Sequence, residues 1–546
     1  MIGHFTLFLL LLALPSRAPE TAPLADTYPR QPGVDAVHYR FQLVLSDNND
    51  EITGEATVDF RFTAAGVRLV ELDLASVNAG KGMTVTEVTS PQGAVQFQHT
   101  SDRLRVTWPT AAAVGERRTV AVRYGGVPAS GLRIGNNKHG ERTFFSLNWP
   151  NLARQWLPMI DHPYDKATNE FIVTAPVKYR VVANGLLQEE IDNGAGQRLT
   201  HWKNSVPIAS WLNAIGVAQF ATKHFGNARG IPLQDWVFHQ DRDKGVATFE
   251  VPTRNAMEFF SERIGPYPYG KLANVQAAGL GGGTEHASVI FYGENSVTAR
   301  PATNLVAHEI AHQWFGNAVT ERDWDDVWLS EGFATYFTLL FTEHYSGRDA
   351  FVTGLISSRT RVFATEQRMP GKAVIHDNLA DMRQVLNQLV YQKGGWVLHM
   401  LRGQIGTENF WAGIREYYQT YRDANASTAD LRKIMEERSG QDLGWFFDQW
   451  LKRAGSPVVD GSWQYNAAAK AIEITLAQTQ PGEAYRLPLE VGVTATGANG
   501  VAQTRIEKLD LRQKQQRFSI ASEVAPTGVV LDPNTWVLMQ VTFVAR

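Results

Sequence analysis

His308-Glu309-Ile310-Ala311-His312, with Glu331 after eighteen intervening residues, is the pattern that most constrains this chain. Positions i and i+4 of a helix project from one face, about 40° apart when each residue turns ~100°. Two imidazoles so placed can grip one tetrahedral Zn²⁺. A carboxylate from a second helix supplies a third ligand, and the fourth position stays open for water. The fold must therefore bring two helices together at this point. Leu305, Val306, Ala307, Ile310, Ala311, Trp314 and Phe315 make the first of them almost wholly apolar, and Gly316-Asn317 offers its stop signal. Two His and a Glu buried in such a helix without partners would be costly, and a metal removes that cost.

Composition narrows the chemistry. The chain contains no Cys. That excludes disulfides, thiolate zinc sites, cysteine nucleophiles and a lipid anchor on cysteine, so any metal is held by His and carboxylates. A net charge of −3 gives no basic excess of the kind that binds nucleic acid. At the N-terminus a Phe/Leu-rich run from Phe5 to Leu14 is too short to span a bilayer. With Ser16 and Ala18 as small residues behind it, the run fits the apolar region of a secretory signal. Export to a periplasmic or extracellular space is the expectation. No later run is long enough for a transmembrane helix, so no stable membrane insertion is expected.

The 546 residues predict three or four domains. Residues 1–27 read as a signal peptide and Pro-rich lead-in. From Tyr39 the period is two: Tyr39, Phe41, Leu43 and Leu45 alternate with mostly polar residues, as do Ala56, Val58, Phe60 and Phe62, then Val120, Val122 and Tyr124. Residues 28–216 are accordingly read as an N-terminal β domain. Residues 217–455 read as a predominantly α block. A helix starts near Thr253, the motif helix follows, and a second runs from about Trp328 to Tyr345 with Glu331 on it. Further helices are expected near 387–401, 408–421, 428–438 and 443–453, with Ser427 or Thr428 as a cap. Residues 456–546 return to period two, with Leu487, Leu489, Val491 and Val493 on one face. Asn499-Gly500 reads as a hairpin turn there, and Trp536–Met539 and Val541–Val544 as the last strands of a β-sandwich.

Several motifs in one order now converge. His308-Glu309-x-x-His312 leads into Trp314-Phe315-Gly316-Asn317, then Trp328-Leu329-Ser330-Glu331-Gly332-Phe333-Ala334. Tyr391-Gln392-Lys393-Gly394 and Phe446-Phe447-x-Gln449-Trp450-Leu451 come later. Together these closely resemble the aminopeptidase N family of gluzincin zinc metallopeptidases, in a short three-domain form. The resemblance implies a multidomain α+β chain: an N-terminal β-saddle, a thermolysin-like, mainly α catalytic domain and a C-terminal β-sandwich. It implies one Zn²⁺ per chain on His308, His312 and Glu331, and peptide substrates with a free N-terminus. Glu309, beside the first ligand, is suited to take a proton from water and hand it to the leaving amine. Tyr391 matches the family's tyrosine that steadies the oxyanion. Gly281-Gly282-Gly283-Thr284-Glu285-His286 aligns with the family's exopeptidase motif, usually Gly-x-Met-Glu-Asn. Glu285 then matches the carboxylate that pairs with the substrate α-ammonium, and Gly282 and Gly283 let backbone approach the substrate closely.

The chain departs from the family in places. Thr284 replaces Met and His286 replaces Asn; His286 is placed with the substrate-binding residues by position. Leu147-Asn148-Trp149-Pro150 stands where Gln-x-Glu-Pro is frequent, which removes two polar groups and makes the first side-chain pocket more apolar. Asp325 and Asp326 are candidate acceptors for a ligand imidazole N–H. The competing readings are a zinc endopeptidase, an epoxide hydrolase on the same scaffold, and a non-catalytic peptide-binding zincin.

Overall fold

The structure is a computed structural model that describes residues 27–375, 381–496 and 501–546; the signal-peptide reading and the Asn499-Gly500 turn lie outside them. The period-two segments of the N-terminal region are strands. Val34–Val44 pairs antiparallel with Ile52–Phe62 and parallel with Ala167–Pro176 inside a seven-stranded sheet. Register places Tyr39 opposite Val58 and Phe41 opposite Ala56. Because strand side chains alternate, these pairs share one face, and all four are buried in the core of this domain. A four-stranded sheet includes Arg142–Ser146 and Ile215–Ala218. It delivers the Leu147–Pro150 segment to the cleft above the catalytic domain.

The middle block is mainly helical, as the sequence reading has it, but it opens with a five-stranded mixed sheet that this reading does not contain. Its order is Phe220–Ala228, Ile231–Phe238, Leu272–Ala277, Val289–Gly293 and the short edge strand Gly283–Thr284. Leu272–Ala277 and Val289–Gly293 are buried along their whole length. They therefore read as apolar runs rather than as alternation. Helix α1 spans Arg242–Arg263, eleven residues earlier than the start read at Thr253. Pro252, just before the expected start, lies inside it and is buried. The helices that carry the His308–His312 motif and Glu331 are α2 (Thr303–His312) and α3 (Trp328–Ser346). Helix α4 (Arg348–Arg368) adds to the expected set: Phe351, Leu355 and Val362 are its buried apolar residues, with Val352 and Phe363 partly buried beside them, in a sequence polar on most sides. Helices α5 (Gly394–Ile405), α6 (Thr407–Tyr421), α7 (Thr428–Ser439) and the short α8 (Gly444–Phe447), which runs into a π-type turn over Asp448–Lys452, complete the block. Ser427 caps α7, its hydroxyl accepting from the Asp430 amide while the Asp430 side chain accepts from Ser427 N.

The C-terminal residues form a sandwich of a four-stranded and a three-stranded sheet. Leu487, Leu489, Val491 and Val493 fill the space between them. Trp536–Met539 is not a strand. The Asp532 carboxylate accepts from the amides of Trp536 (2.8 Å) and Val537 (2.9 Å), so those donors are spent on a turn rather than a ladder. Trp536 instead stacks on His399 of α5, ring centroids 4.8 Å apart. On the other side, Lys166 of the N-terminal domain caps the carbonyls of Asn317 (3.0 Å) and Ala318 (2.9 Å), just past the motif helix. The catalytic block is thereby fixed to both neighbours.

Candidate active site

Three side-chain atoms converge where α2 meets α3. His308 Nε2 lies 3.2 Å from His312 Nε2. Glu331 Oε2 lies 3.5 Å from His308 Nε2 and 3.3 Å from His312 Nε2. Donors held about 2.0–2.1 Å from a tetrahedral Zn²⁺ stand about 3.3 Å apart, so this triangle has the size of three corners of such a shell. Glu331 Oε2 is buried without a hydrogen-bond partner, an arrangement that is costly unless a cation meets it. His312 Nδ1 is 3.3 Å from the Phe315 carbonyl and 3.1 Å from Ser330 Oγ. A carbonyl only accepts, so Nδ1 carries the proton and Nε2 turns its lone pair into the triangle. The residues present fit a zinc ion.

Local sequence explains the convergence. Gly316 has φ of +106°, a value that favours glycine, and a Cβ there would run into Ser330 Oγ. The turn out of α2 can thus lie directly on the start of α3. Gly332 and Gly394 pack backbone against backbone, with a Cβ on Gly332 only 2.9 Å from the Gly394 carbonyl carbon. That contact brings Tyr391, on a widened π-type turn over Leu389–Lys393, beside Glu331. Its hydroxyl donates to Glu331 Oε1 at 2.9 Å, and its ring stacks over His308.

Glu309 and Glu285 close the other side, each within 4.8 Å of the other and of His312 by their ligand-capable atoms. The Glu285 backbone is clamped to the turn behind the motif. Its carbonyl accepts from Gln313 Nε2 (2.9 Å) and Asn317 Nδ2 (2.6 Å), and Gln313 Oε1 accepts from Ser288 N (2.9 Å). Lys271, fully buried, donates to the Ala183 carbonyl (2.9 Å) and to Ser288 Oγ (3.3 Å). Sequence reading does not single out Gln313 or Lys271, and it gives Asn317 and Ser330 only as motif positions without these partners; the signal for Gln313 is its polarity in an otherwise apolar stretch. Gln313→Ala removes the Glu285 and Ser288 bonds together. It should destabilise the fold by about 2–4 kcal/mol, which urea unfolding checks; an unchanged midpoint refutes the clamp.

Charge in this cluster is unbalanced. Burial opposes charge on His312, yet Glu331, Glu285 and Glu309 outweigh it and raise its pKa to about 10. Burial likewise opposes the Glu331 carboxylate, but His312 and His308 hold it down at about 2. Glu309 is pushed well above the usual carboxylate range, mainly by burial and then by Glu285 and Glu331. Three carboxylates around two imidazoles are a setting that a divalent cation relieves.

All these residues open on one cavity of about 710 Å³. Gly282 and Gly283 line it, Gly283 against the Glu309 carboxyl where a Cβ would collide. Leu147 and Trp149 form the wall near Glu285, and Trp149 is wedged edge-on between Trp211 (5.0 Å) and Trp324 (4.8 Å). Two expectations need correction. His286 is not among the lining residues: it is fully buried behind the loop against Phe291, at 4.8 Å, and burial lowers its pKa to about 3. Asp326 does not brace a ligand imidazole; it accepts from Thr428 N and Oγ1 at the start of α7. Asp325 is buried, and the bracing of His312 falls to Phe315 and Ser330.

Comparison with known proteins agrees with this geometry. The family model for the Peptidase M1 N-terminal domain matches residues 35–212, and that for the Peptidase family M1 domain matches residues 249–450. Among relatives, the glutamyl aminopeptidase of Bitis rhinoceros is 30% identical over 325 residues, covering 57% of this chain and 34% of the relative. Aminopeptidase M1 of Arabidopsis thaliana is 25% identical over 458 residues, covering 77% and 52%. The chain thus spans about a third to a half of the length of these relatives. The M1 zinc metallopeptidase of Deinococcus radiodurans superposes with a TM-score of 0.67 at 24% identity, covering 77% of this chain and 94% of that one. A mutant of that protein was solved bound to a Tyr-Ser-Ala substrate, with a TM-score of 0.66. At this identity the likeness establishes the fold. The two matched regions together take in most of the chain, in the family's order and around the site just described, and the chain belongs to peptidase family M1.

Proposed function

We propose that this protein is a zinc-dependent aminopeptidase that releases the first residue of peptides, neutral and apolar first residues above all. The observation that carries the reading is the placing of Glu285 within 4.8 Å of Glu309 and His312. A buried carboxylate one residue's reach from the hydrolytic centre leaves room for a single α-ammonium and one residue. His308, His312 and Glu331 would hold the zinc, which when bound polarises the scissile carbonyl and makes water acidic enough to attack near neutral pH. Glu309 accepts the proton of that water at a carboxylate oxygen. As the C–N bond breaks, it passes the proton to the leaving amine nitrogen. Tyr391 supplies its hydroxyl to the oxygen that gains charge. The free edge of Gly283–Thr284 takes the substrate backbone as an added strand. Leu147 and Trp149 give the first side chain an apolar, aromatic wall. The division of the chain at 216 and 455 and export of the mature protein are part of the same proposal; the latter is supported by the Phe5–Leu14 run.

N-acetylation of a good substrate such as Leu-Ala-Ala should abolish cleavage, because it leaves Glu285 buried opposite an uncharged amide. Glu285→Ala should raise KM more than it lowers kcat, about 10–100-fold for an ion pair of this burial. Steady-state kinetics on the free and blocked peptide decide it. Internal cleavage of the blocked peptide would make the protein an endopeptidase instead.

A further inference from the structure

Beyond the catalytic cluster the cavity continues into the cleft between α3 and α4, a region that the chemistry above leaves unused. Thr335, Thr338 and Leu339 line it from α3, one to two turns past Glu331, and Gly354, Ser358 and Arg361 line it from α4. The two helices run antiparallel, since Arg348 pairs with Glu343 (3.0 Å) and a Cβ on Gly354 would meet Leu339. Arg361, seven residues past Gly354, is therefore about 10 Å back along α4, opposite the turn that carries Glu331. Further along, Glu366 reaches Lys393, two residues from Tyr391 (3.0 Å), and fixes that end of α4 to the site.

The charges along this cavity have two poles. Glu285, Glu309 and Glu331 gather at one end. Among the described residues that line the cavity, Arg361 is the only lysine or arginine, and no carboxylate among the described residues lies within ion-pair distance of it. The floor between is small and hydroxyl-bearing, with Thr335, Thr338 and Ser358 offering hydrogen bonds and Gly354 no side chain. A peptide seated with its amine on Glu285 runs past the metal ligands toward this end. An extended chain advances about 3.3–3.6 Å per residue, so the guanidinium comes within reach one or two residues after the scissile bond. A planar fork of donors is suited to a carboxylate there.

We propose that Arg361 is a specificity-determining residue, which captures a carboxylate one or two residues downstream of the scissile bond. The carboxylate is the chain terminus of a di- or tripeptide or an acidic side chain at that position. The inference rests on the aminopeptidase reading, and binding separates the two: affinity is measured by calorimetry on Glu309→Gln enzyme, where turnover does not interfere. The probes are Leu-Ala-Ala as free acid, Leu-Ala-Ala as C-terminal amide, and Leu-Ala-Asp amide. The free acid should bind about tenfold or more tighter than its amide. In Glu309→Gln/Arg361→Gln the ratio should fall toward one, and Arg361→Lys in place of Arg361→Gln should keep part of it. Leu-Ala-Asp amide binding like the free acid assigns Arg361 to carboxylates in general; binding like the plain amide assigns it to chain ends, and so to short peptides. Equal affinity for acid and amide, a preference that survives Arg361→Gln, or no measurable binding of the free acid overturns the proposal. Failure of wild-type enzyme to cleave a peptide that binds with the predicted preference overturns the aminopeptidase reading and leaves Arg361 in place.

Discussion

Glu309→Gln should lower kcat by about 10²–10⁴-fold, the range spanned by loss of a positioned general base. The substitution is nearly isosteric, and the packing around it argues that the effect is chemical. Glu309 sits on α2 between the two imidazoles, its carboxyl against Gly283 on the facing edge strand. A glutamine of the same volume fits that gap without displacing His308 or His312. Metal content should stay at one per chain, and KM should move little, because the lost interaction forms only as the proton is transferred. Burial, with Glu285 and Glu331 beside it, holds this carboxylate above its ordinary pKa, which makes it a stronger base than an exposed carboxylate. Single-turnover kinetics with metal analysis on the same preparation provide the check. A variant that keeps a tenth or more of wild-type kcat would remove Glu309 from the proton path.

The parts of this site that were readable in sequence are those fixed by one helix or one short turn. His308 and His312 follow from helical periodicity alone, and Glu331 from the next apolar helix. Period-two alternation identified the strands of the N-terminal domain because one of their faces is buried, as with Tyr39, Phe41 and Leu43. Where both faces are buried the alternation vanishes. That is why the sheet around Leu272–Ala277 and Val289–Gly293 was absorbed into a block expected to be helical. Helix α4 escaped for the opposite reason: it is polar on most sides, and Gly354 and the hydroxyl residues near it weaken the helical signal that Arg361 depends on.

Long-range partners were the least legible. Asp326 precedes Glu331 by five residues, and sequence proximity made it a candidate brace for an imidazole. It is committed instead to Thr428, a hundred residues away. The brace comes from Ser330 and the Phe315 carbonyl, a backbone group that no residue pattern reports. The clamp on Glu285 is similar, since Gln313 and Asn317 act through a carbonyl and an amide of the glycine loop. Position beside Glu285 groups His286 with the binding residues in sequence. His286 lies in the core, where an uncharged imidazole against Phe291 is a packing residue. Motif spacing fixes which residues share a face; it does not report which backbone groups hold them.

Removing the metal should produce the second large effect, on activity and stability together. His312→Ala takes one corner from the triangle and also vacates the bonds to Ser330 and Phe315. Two donors, one of them the partly exposed His308, then remain on a site whose carboxylates still repel one another. Zinc affinity should collapse, and turnover should fall by at least about 10³-fold, because polarisation of the carbonyl and activation of water are lost at once. Chelation of wild-type enzyme should reach the same state reversibly. A ligand present at 1,000 times its dissociation constant contributes about 4 kcal/mol of stability. The chelated protein should therefore unfold at clearly lower urea than the zinc-loaded form, with zinc restoring both midpoint and turnover. His312→Ala should respond to neither chelator nor zinc. Ser330→Ala provides a graded control: with the triangle intact and one brace removed, affinity should weaken about 10–100-fold while saturating zinc recovers most of the rate. Full turnover after exhaustive chelation, or zinc bound at wild-type strength by His312→Ala, would show that the three converging atoms are not where the cation acts.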